Sequence, residues 1–337
     1  MPQRTPLPFL ACLALLLSVP AEAQIDLTGS WVPRMHEDWM ERATGRDLVD
    51  YTGLPLSDEG RALAVRYSPT SYAMRERQCL LHSPYSFQFW PHGLRLWSET
   101  DANGRIIAWK MSGVLEREGL TIWMDGRPHP SPNAFSSFSG FTTGTWEGDT
   151  LTTYTTHLKQ TFVRRGNGSP ASDLATVTAH ITRHDDLLTI TTIQEDPVYL
   201  TEPLVVSRTW QLDPRGDVAR ISVCYAVTEI PRLEDTGIVP HYLPGENPDV
   251  DFMGKQYGIP MEAVLGYAET TYPEYRKKLK DRYVPPAACD RYCCGWTAIA
   301  SGSVFPAPGL SCVAAGKGSL PGRPADSDRR TSDPRVR

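Results

Sequence analysis

The residues best suited to chemistry sit in two proline-stiffened loops and on strand-like runs. The run Trp123-Met124-Asp125-Gly126-Arg127-Pro128-His129-Pro130 gathers an acid, a guanidinium and an imidazole in one short stretch. Such a loop can bind an anionic or polar group at the mouth of a barrel. The plainer reading is a rigid turn in which Asp125 pairs with Arg127 or with backbone. The run Asp196-Pro197-Val198-Tyr199-Leu200-Thr201-Glu202-Pro203 is the second stiff loop. There Glu195, Asp196 and Glu202 surround Tyr199, and close carboxylates can have their pKa values pushed apart for acid/base work. Turn and cap duties are the simpler use of those side chains, and the favoured one. Arg164 and Arg165, before Gly166, could clamp a carboxylate or sulfate.

His157, His180 and His184 invite a metal reading, but strand geometry limits it. His180 and His184 share a face and stand ~13 Å apart along a strand. Only His157 with one of them, across a strand pair, could ligate one ion. A solvated polar strand face is the favoured alternative. A third use is a histidine acting as acid or base in a pocket, the chemistry imidazole suits near neutral pH. Cys79 beside His82 could be a nucleophile, although pairing with Cys224 is the favoured use. The tail spacing Cys289-x3-Cys293-Cys294 does not match a paired zinc motif. No phosphate loop and no Gly-x-Ser-x-Gly elbow is present. No metal and no cofactor is therefore assigned.

These residues need a frame, and the middle of the chain supplies one. Leu94 to Val227 reads as one hairpin after another, with turn signals at Asn103-Gly104, Glu118-Gly119, Glu147-Gly148-Asp149, Asp185-Asp186 and Pro214-Arg215-Gly216. Strands are expected at 94–100, 105–112, 114–117, 120–124, 144–147, 150–158, 174–184, 187–194, 204–212 and 219–228. In 174–184, Ala175, Val177, Ala179 and Ile181 form one face and threonines and histidines the other. The expected fold is mainly β: an antiparallel meander closing into a lipocalin-like barrel, with helical and loop additions. Gly29-Ser30-Trp31 places a tryptophan on the first strand, a short pattern also found in lipocalins, where it plugs one barrel end; a tryptophan capping any β core is an equal reading. Trp109 and Phe141 are candidate ligand-lining aromatics.

Flanking segments divide the rest. Residues 1–23 read as a signal peptide, with Arg4, the apolar Leu7–Val19 and a small-x-small site at Ala21-Glu22-Ala23. Export to the periplasm or beyond is expected, with cleavage near Ala23. Residues 24–93 hold a first strand and a helical and loop segment. Ser57 is a helix N-cap with Asp58 and Glu59 in the first turn. The barrel core is expected over 94–230. A wrapping loop and a helix over about 261–281, begun by Pro260, fill 231–285. Residues 286–337 lose all periodicity and read as a disordered tail, or as a reading-frame artefact.

Composition narrows the partners. Net charge is −5 with both signs interspersed, so no basic stripe recommends nucleic acid. Beyond the leader, no stretch approaches the ~18 apolar residues of a membrane helix, so stable membrane insertion is not expected. Twenty-nine prolines and twenty-six glycines suit a loop-rich β protein. An exported chain meets an oxidising compartment, which favours a Cys79–Cys224 disulfide.

Several segments together resemble a family of secreted bacterial β-rich proteins. They are Gln78-Cys79-x-x-His82, Ile122 to Pro130, Gly144-x-Trp146-Glu-Gly-Asp149, Thr155-Thr-His157-Leu-Lys159, Asp196 to Pro203 and Tyr272-Pro-Glu-Tyr275. The resemblance covers about 26–281 and implies an exported β-rich protein in which these loops are family features. It assigns no catalytic residue. The leading functional expectation is a binder of a small, apolar or aromatic ligand in the barrel, lined by Asp125, Arg127, His129, Arg164, Trp109 and Phe141. The alternative is a cofactor-free hydratase, isomerase or lyase, with His157 or His184 as base, Tyr199 or Glu202 as acid, and Arg127 or Arg164 holding an anion. A third reading is an envelope scaffold with no pocket.

Overall fold

Alternation of inward and outward side chains decides this architecture. The computed structural model describes residues 25–34, 48–79, 84, 93–113, 119–164, 167–216, 225–226 and 238–280. The chain divides into two units, Met1–Pro285 and Pro286–Arg337, and the second holds no described residue. The expected strand 114–117 and the tail lie outside the described residues, as does the expected strand 219–228 except for residues 225–226, which are irregular.

The strands are β1 (Gly29–Pro33), β2 (Leu94–Thr100), β3 (Ile106–Gly113), β4 (Leu120–Trp123), β5 (Phe141–Glu147), β6 (Thr150–Thr156), β7 (Thr161–Arg164), β8 (Ser169–Ala171), β9 (Thr176–His184), β10 (Leu187–Glu195) and β11 (Leu204–Leu212). They form a closed barrel in the order β1-β11-β10-β9-β6-β5-β4-β3-β2, and β7 and β8 make a separate two-stranded sheet. β1 closes the barrel by pairing on both sides, with Trp31 opposite Leu94 of β2 and opposite Leu212 of β11. The protein is mainly β, with a barrel compatible with the lipocalin architecture.

Two features refine the expected meander. β4 and β5 pair in parallel, Ile122 with Thr142 and Trp123 with Thr143. A parallel step needs a long return connection, and residues 124–140 supply it. Pro128, Pro130 and Pro132 cannot donate to a ladder, so this stretch runs outside the sheet as an irregular strap. The β7–β8 hairpin is the second addition. Its strands are short and β8 carries Pro170, so neither shows the alternation of a longer strand.

Inward parity is regular. β6 buries Leu151, Thr153 and Thr155. β9 buries Val177, Ala179 and Ile181. β10 buries Leu188, Ile190, Thr192 and Gln194, and β11 buries Leu204, Val206, Arg208 and Trp210. Two apolar clusters result. One gathers Leu27, Trp31, Leu94, Leu96, Trp109, Met111, Ile122, Leu151, Ile181, Leu188, Ile190 and Trp210. The other joins Val177, Leu204 and Val206 to Leu54, Leu56, Ala64, Leu158 and Leu200 of the flanking segments.

The helical pieces are α1 (Asp58–Val65), which adds Ala64 to the second cluster, a 3-10 turn (Pro69–Ala73), α2 (Arg75–Gln78), α3 (Phe252–Tyr257), α4 (Met261–Val264), a 3-10 turn (Ala268–Thr271) and α5 (Pro273–Lys280). Ser57 caps α1 as expected, its Oγ accepting from the Gly60 N–H at 3.0 Å and donating to the Val198 carbonyl at 2.7 Å. Gly60 lets the helix approach the Tyr199 backbone, since a Cβ there would stand 2.6 Å from the Tyr199 carbonyl oxygen. Arg61 is buried and donates to the carbonyls of Leu56, Leu265 and Gly266, with its guanidinium carbon 3.6 Å from the Tyr267 ring centre. The single helix expected over 261–281 is corrected to α4, a 3-10 turn and α5. Gly266 breaks it: φ is +73° and a Cβ would lie 2.7 Å from the Leu54 carbonyl. Pro273 then begins the last helix.

Trp31 is fully buried, and its indole N–H donates to the Leu27 carbonyl at 3.2 Å. Trp31→Ala is expected to cost ~3–5 kcal/mol, the range for deleting a large buried aromatic. Urea unfolding checks this; a loss below about 1 kcal/mol would mean the seam does not depend on this side chain.

Candidate functional site

The loop 123–130 lies on the outer wall of the barrel. Ile122 is the buried, inward residue of β4, so Trp123 faces out. Arg127 lies over Trp123, its guanidinium carbon 3.5 Å from the ring centre, and its Nη2 donates to Asp125 Oδ2 at 2.5 Å. The guanidinium holds the Asp125 carboxyl down at about 2. Acid and cation are thus spent on each other, as a rigid turn requires.

His129 and His157, far apart in sequence, meet through threonines of β5 and β6. His129 Nε2 is 2.9 Å from Thr143 Oγ1 and its Nδ1 is 2.8 Å from Thr156 Oγ1. Thr156 Oγ1 is also 2.7 Å from His157 Nδ1, and His157 Nε2 is 2.9 Å from the Ser131 carbonyl. That carbonyl can only accept, which fixes every proton in the neutral chain. His157 Nε2–H donates to Ser131. Thr156 then donates to His157 Nδ1 and accepts from His129 Nδ1–H. Thr143 donates to His129 Nε2. The chain staples the 124–140 strap onto the barrel wall. Phe141 and Tyr154 flank His129, with ring centres 5.1 and 5.3 Å away. His157 itself holds a left-handed backbone, φ +57°, where β6 leaves the sheet.

The remaining expected site residues are dispersed. Asp196 is buried and accepts from Ser172 N–H and Oγ–H, and from the N–H groups of Val198 and Tyr199. It organises the loop. Tyr199 accepts from Gln160 Nε2 at 3.1 Å, and burial followed by the charge of Asp196 raises its pKa. Glu202 accepts from the Tyr272 hydroxyl at 2.5 Å and from Thr271 Oγ1 at 3.3 Å, which anchors the last 3-10 turn. His180 bonds Thr152 on the outer wall at 3.1 Å. His184 stands 91 % exposed beside Asp185 at the β9–β10 turn. Arg164 ends β7 opposite Ser169. Cys79 follows α2, and Cys224 lies outside the described residues. The structure brings together Asp125 with Arg127, and His129 with His157 and Phe141. Tyr199 and Glu202 flank one loop, and none of these outer residues faces the barrel interior.

Inside the barrel the picture differs. A belt of buried polar side chains interleaves with the two apolar clusters, Arg208 opposite Ile190, Thr192 opposite Val206 and Gln194 opposite Leu204. Thr192 and Gln194 continue β10 beyond Ile190; Thr153 and Thr155 continue β6 beyond Leu151; Arg208 separates Val206 from Trp210. All are buried. Thr155 Oγ1 is 2.7 Å from Thr142 Oγ1 of β5. Gln194 is 2 % exposed, sits between Val177 and Leu204 in the ladders, and neither its amide oxygen nor its nitrogen has a hydrogen-bond partner. The indole nitrogen of Trp109, also inside, is likewise unpartnered. Sequence reasoning named Trp109 and missed Gln194. The available signal was parity, since Gln194 extends the inward series from Leu188.

Neither the models of known protein families nor the curated proteins give a match to this chain. Among the described residues no helix is long and apolar enough to cross a membrane.

Burial, then the nearby His157, lowers the His129 pKa below its ordinary 6.5. The folded state therefore prefers neutral imidazole, and the unfolded chain takes up the proton first as pH falls. The stability this gives is complete above about 6.5 and is lost as pH drops toward the lowered folded value. His129→Gln is expected to remove this part of the pH dependence. Thermal melts between neutral and mildly acidic pH measure it, and an unchanged slope would show that His129 is not the group responsible.

Proposed function

We propose that the protein binds a small, largely apolar molecule, bearing at least one hydrogen-bonding group, inside the barrel. The observation that carries this is Gln194. A buried amide without partners costs about 1–3 kcal/mol, and native interiors rarely keep such groups without a use. A ligand carbonyl, hydroxyl or carboxyl meeting this amide would remove the cost, while the flanking apolar clusters would cover the ligand's body. The placement of the acid/base candidates supports binding over turnover. Both nitrogens of His157 are engaged in the strap, and His184 is a solvent-facing turn residue.

Gln194→Leu separates function from folding. Removing an unsatisfied buried amide should leave the melting temperature unchanged or raised. Ligand affinity should fall about tenfold, the equivalent of one lost hydrogen bond near 1.4 kcal/mol. Native mass spectrometry of protein from its own cell envelope reads both species. Wild type should carry a small molecule in stoichiometric amount and the variant much less. Equal retention by the two would remove Gln194 from the site, and a bare wild-type mass would oppose the reading itself.

The same reading takes the protein to be exported, with its leader removed near Ala23 and Cys79 paired with Cys224. Its support is the leader sequence and the oxidising compartment that export implies. Peptide mapping without reduction should find the Cys79 peptide linked to the Cys224 peptide. Alkylation of Cys79 before reduction would sink the pairing.

A further inference from the structure

We propose a second binding site, outside the barrel, for a small aromatic carboxylate. A groove of about 570 Å³ lies where α1, the first 3-10 turn, the β7–β8 hairpin and residues 239–241 meet. That volume falls in the range of small-molecule sites, roughly 300–1,000 Å³. Its walls include the rings of Tyr67, Phe138 and Phe162 and the side chain of Val239. Tyr67 and Phe162 meet edge to face with centres 5.8 Å apart. The fold makes room for this pair: a Cβ on Gly168, whose φ is +75°, would stand 2.2 Å from the Tyr67 ring. The isolated bridge between Tyr67 and His241 fixes the far wall.

Charge and an orphan hydroxyl specify the occupant. Arg66 lines the groove, is exposed, and has no ion-pair partner among the described residues. Lys159 Nζ lies 5.3 Å from the Phe138 ring centre, adding a second cation beside the same wall. None of the described residues lining the groove is acidic. Ser71 lines it too, is 2 % exposed, and its hydroxyl has no hydrogen-bond partner. A guanidinium fork matches a carboxylate in bidentate geometry, and three aromatic walls match a ring. The site shares no residue with the polar belt, so it stands or falls apart from the barrel reading.

Phenylacetate is the probe, titrated by calorimetry into the full chain, with phenylacetamide as its uncharged counterpart. Saturable binding is expected, weakened about tenfold or more by loss of the charge on either side, in phenylacetamide or in Arg66→Gln. Val239→Trp, an exposed loop position, should fill the groove and abolish binding. Gln194→Leu should leave phenylacetate binding intact. The proposal is overturned if phenylacetate does not saturate at millimolar concentration, or if phenylacetamide binds equally well. It is also overturned if Arg66→Gln and Val239→Trp bind as wild type does, or if Gln194→Leu abolishes binding, since the probe would then occupy the barrel.

Discussion

Everything in this molecule depends on the closing of the barrel at β1. That strand is short, yet it satisfies two ladders at once, against β2 and β11. Without it the sheet would expose two edges, each a row of unpaired backbone groups. Trp31 secures the seam because a single large side chain reaches both neighbours and the interior. Arg183 adds a tie from outside the seam. Its guanidinium lies 5.2 Å from the Trp31 ring centre and donates to the Asp26 carbonyl just before β1. Inside and outside are defined only once this closure is made. The meaning of every alternating residue, from Thr142 to Trp210, follows from it.

Closure also explains why the loops that look most chemical carry structural ties. A parallel step from β4 to β5 forces a long return segment over the outer wall. Proline keeps that segment from pairing, but it then needs other anchors. The sequence supplies polar side chains with fixed demands: Asp125 for Arg127, two threonines for His129, one carbonyl for His157. The second proline-stiffened loop follows the same logic. Asp196 collects four donors and Glu202 holds Tyr272, so the turn between β10 and β11 fastens both α1 and the last helical pieces to the barrel. Residue types suited to catalysis are also the types best suited to tying irregular backbone down. Sequence alone cannot separate those uses, because what decides is whether the partners are protein or substrate.

Legibility follows from how local each signal is. β9, β10 and β11 were legible because each alternates along nine residues, burying Val177, Ala179 and Ile181 on β9, Leu188 to Gln194 on β10 and Leu204 to Trp210 on β11 at every second position. The α1 cap was legible because Ser57 and the acidic first turn lie within one helical turn of each other. The parallel pairing of β4 with β5 was not, since alternation is the same for either direction. The break in the C-terminal helix was visible as Gly266 but could not be weighed without knowing that the Leu54 carbonyl approaches it. In the interior, Trp109 was legible by size, whereas Gln194 reads in sequence as an ordinary polar strand end. The outer groove was illegible altogether, because Arg66, Phe138, Phe162 and Val239 come from four remote segments.

The interior belt sets a conflict between stability and use. A barrel of this size could have been filled with apolar side chains along the whole of β6, β10 and β11, as it is at Leu151, Leu188, Ile190 and Trp210. Thr153, Thr155, Thr192, Gln194 and Arg208 instead hold buried polar groups over several register positions, from Arg208 opposite Ile190 to Gln194 opposite Leu204. Thr142 and Thr155 satisfy one another there, so polarity alone is no burden. Gln194 is different, because its neighbours in the ladders, Val177 and Leu204, offer nothing to an amide. An apolar residue at that position would give a drier core. Keeping the amide makes sense where the folded state is completed by a molecule that brings its own hydrogen-bonding group into the belt.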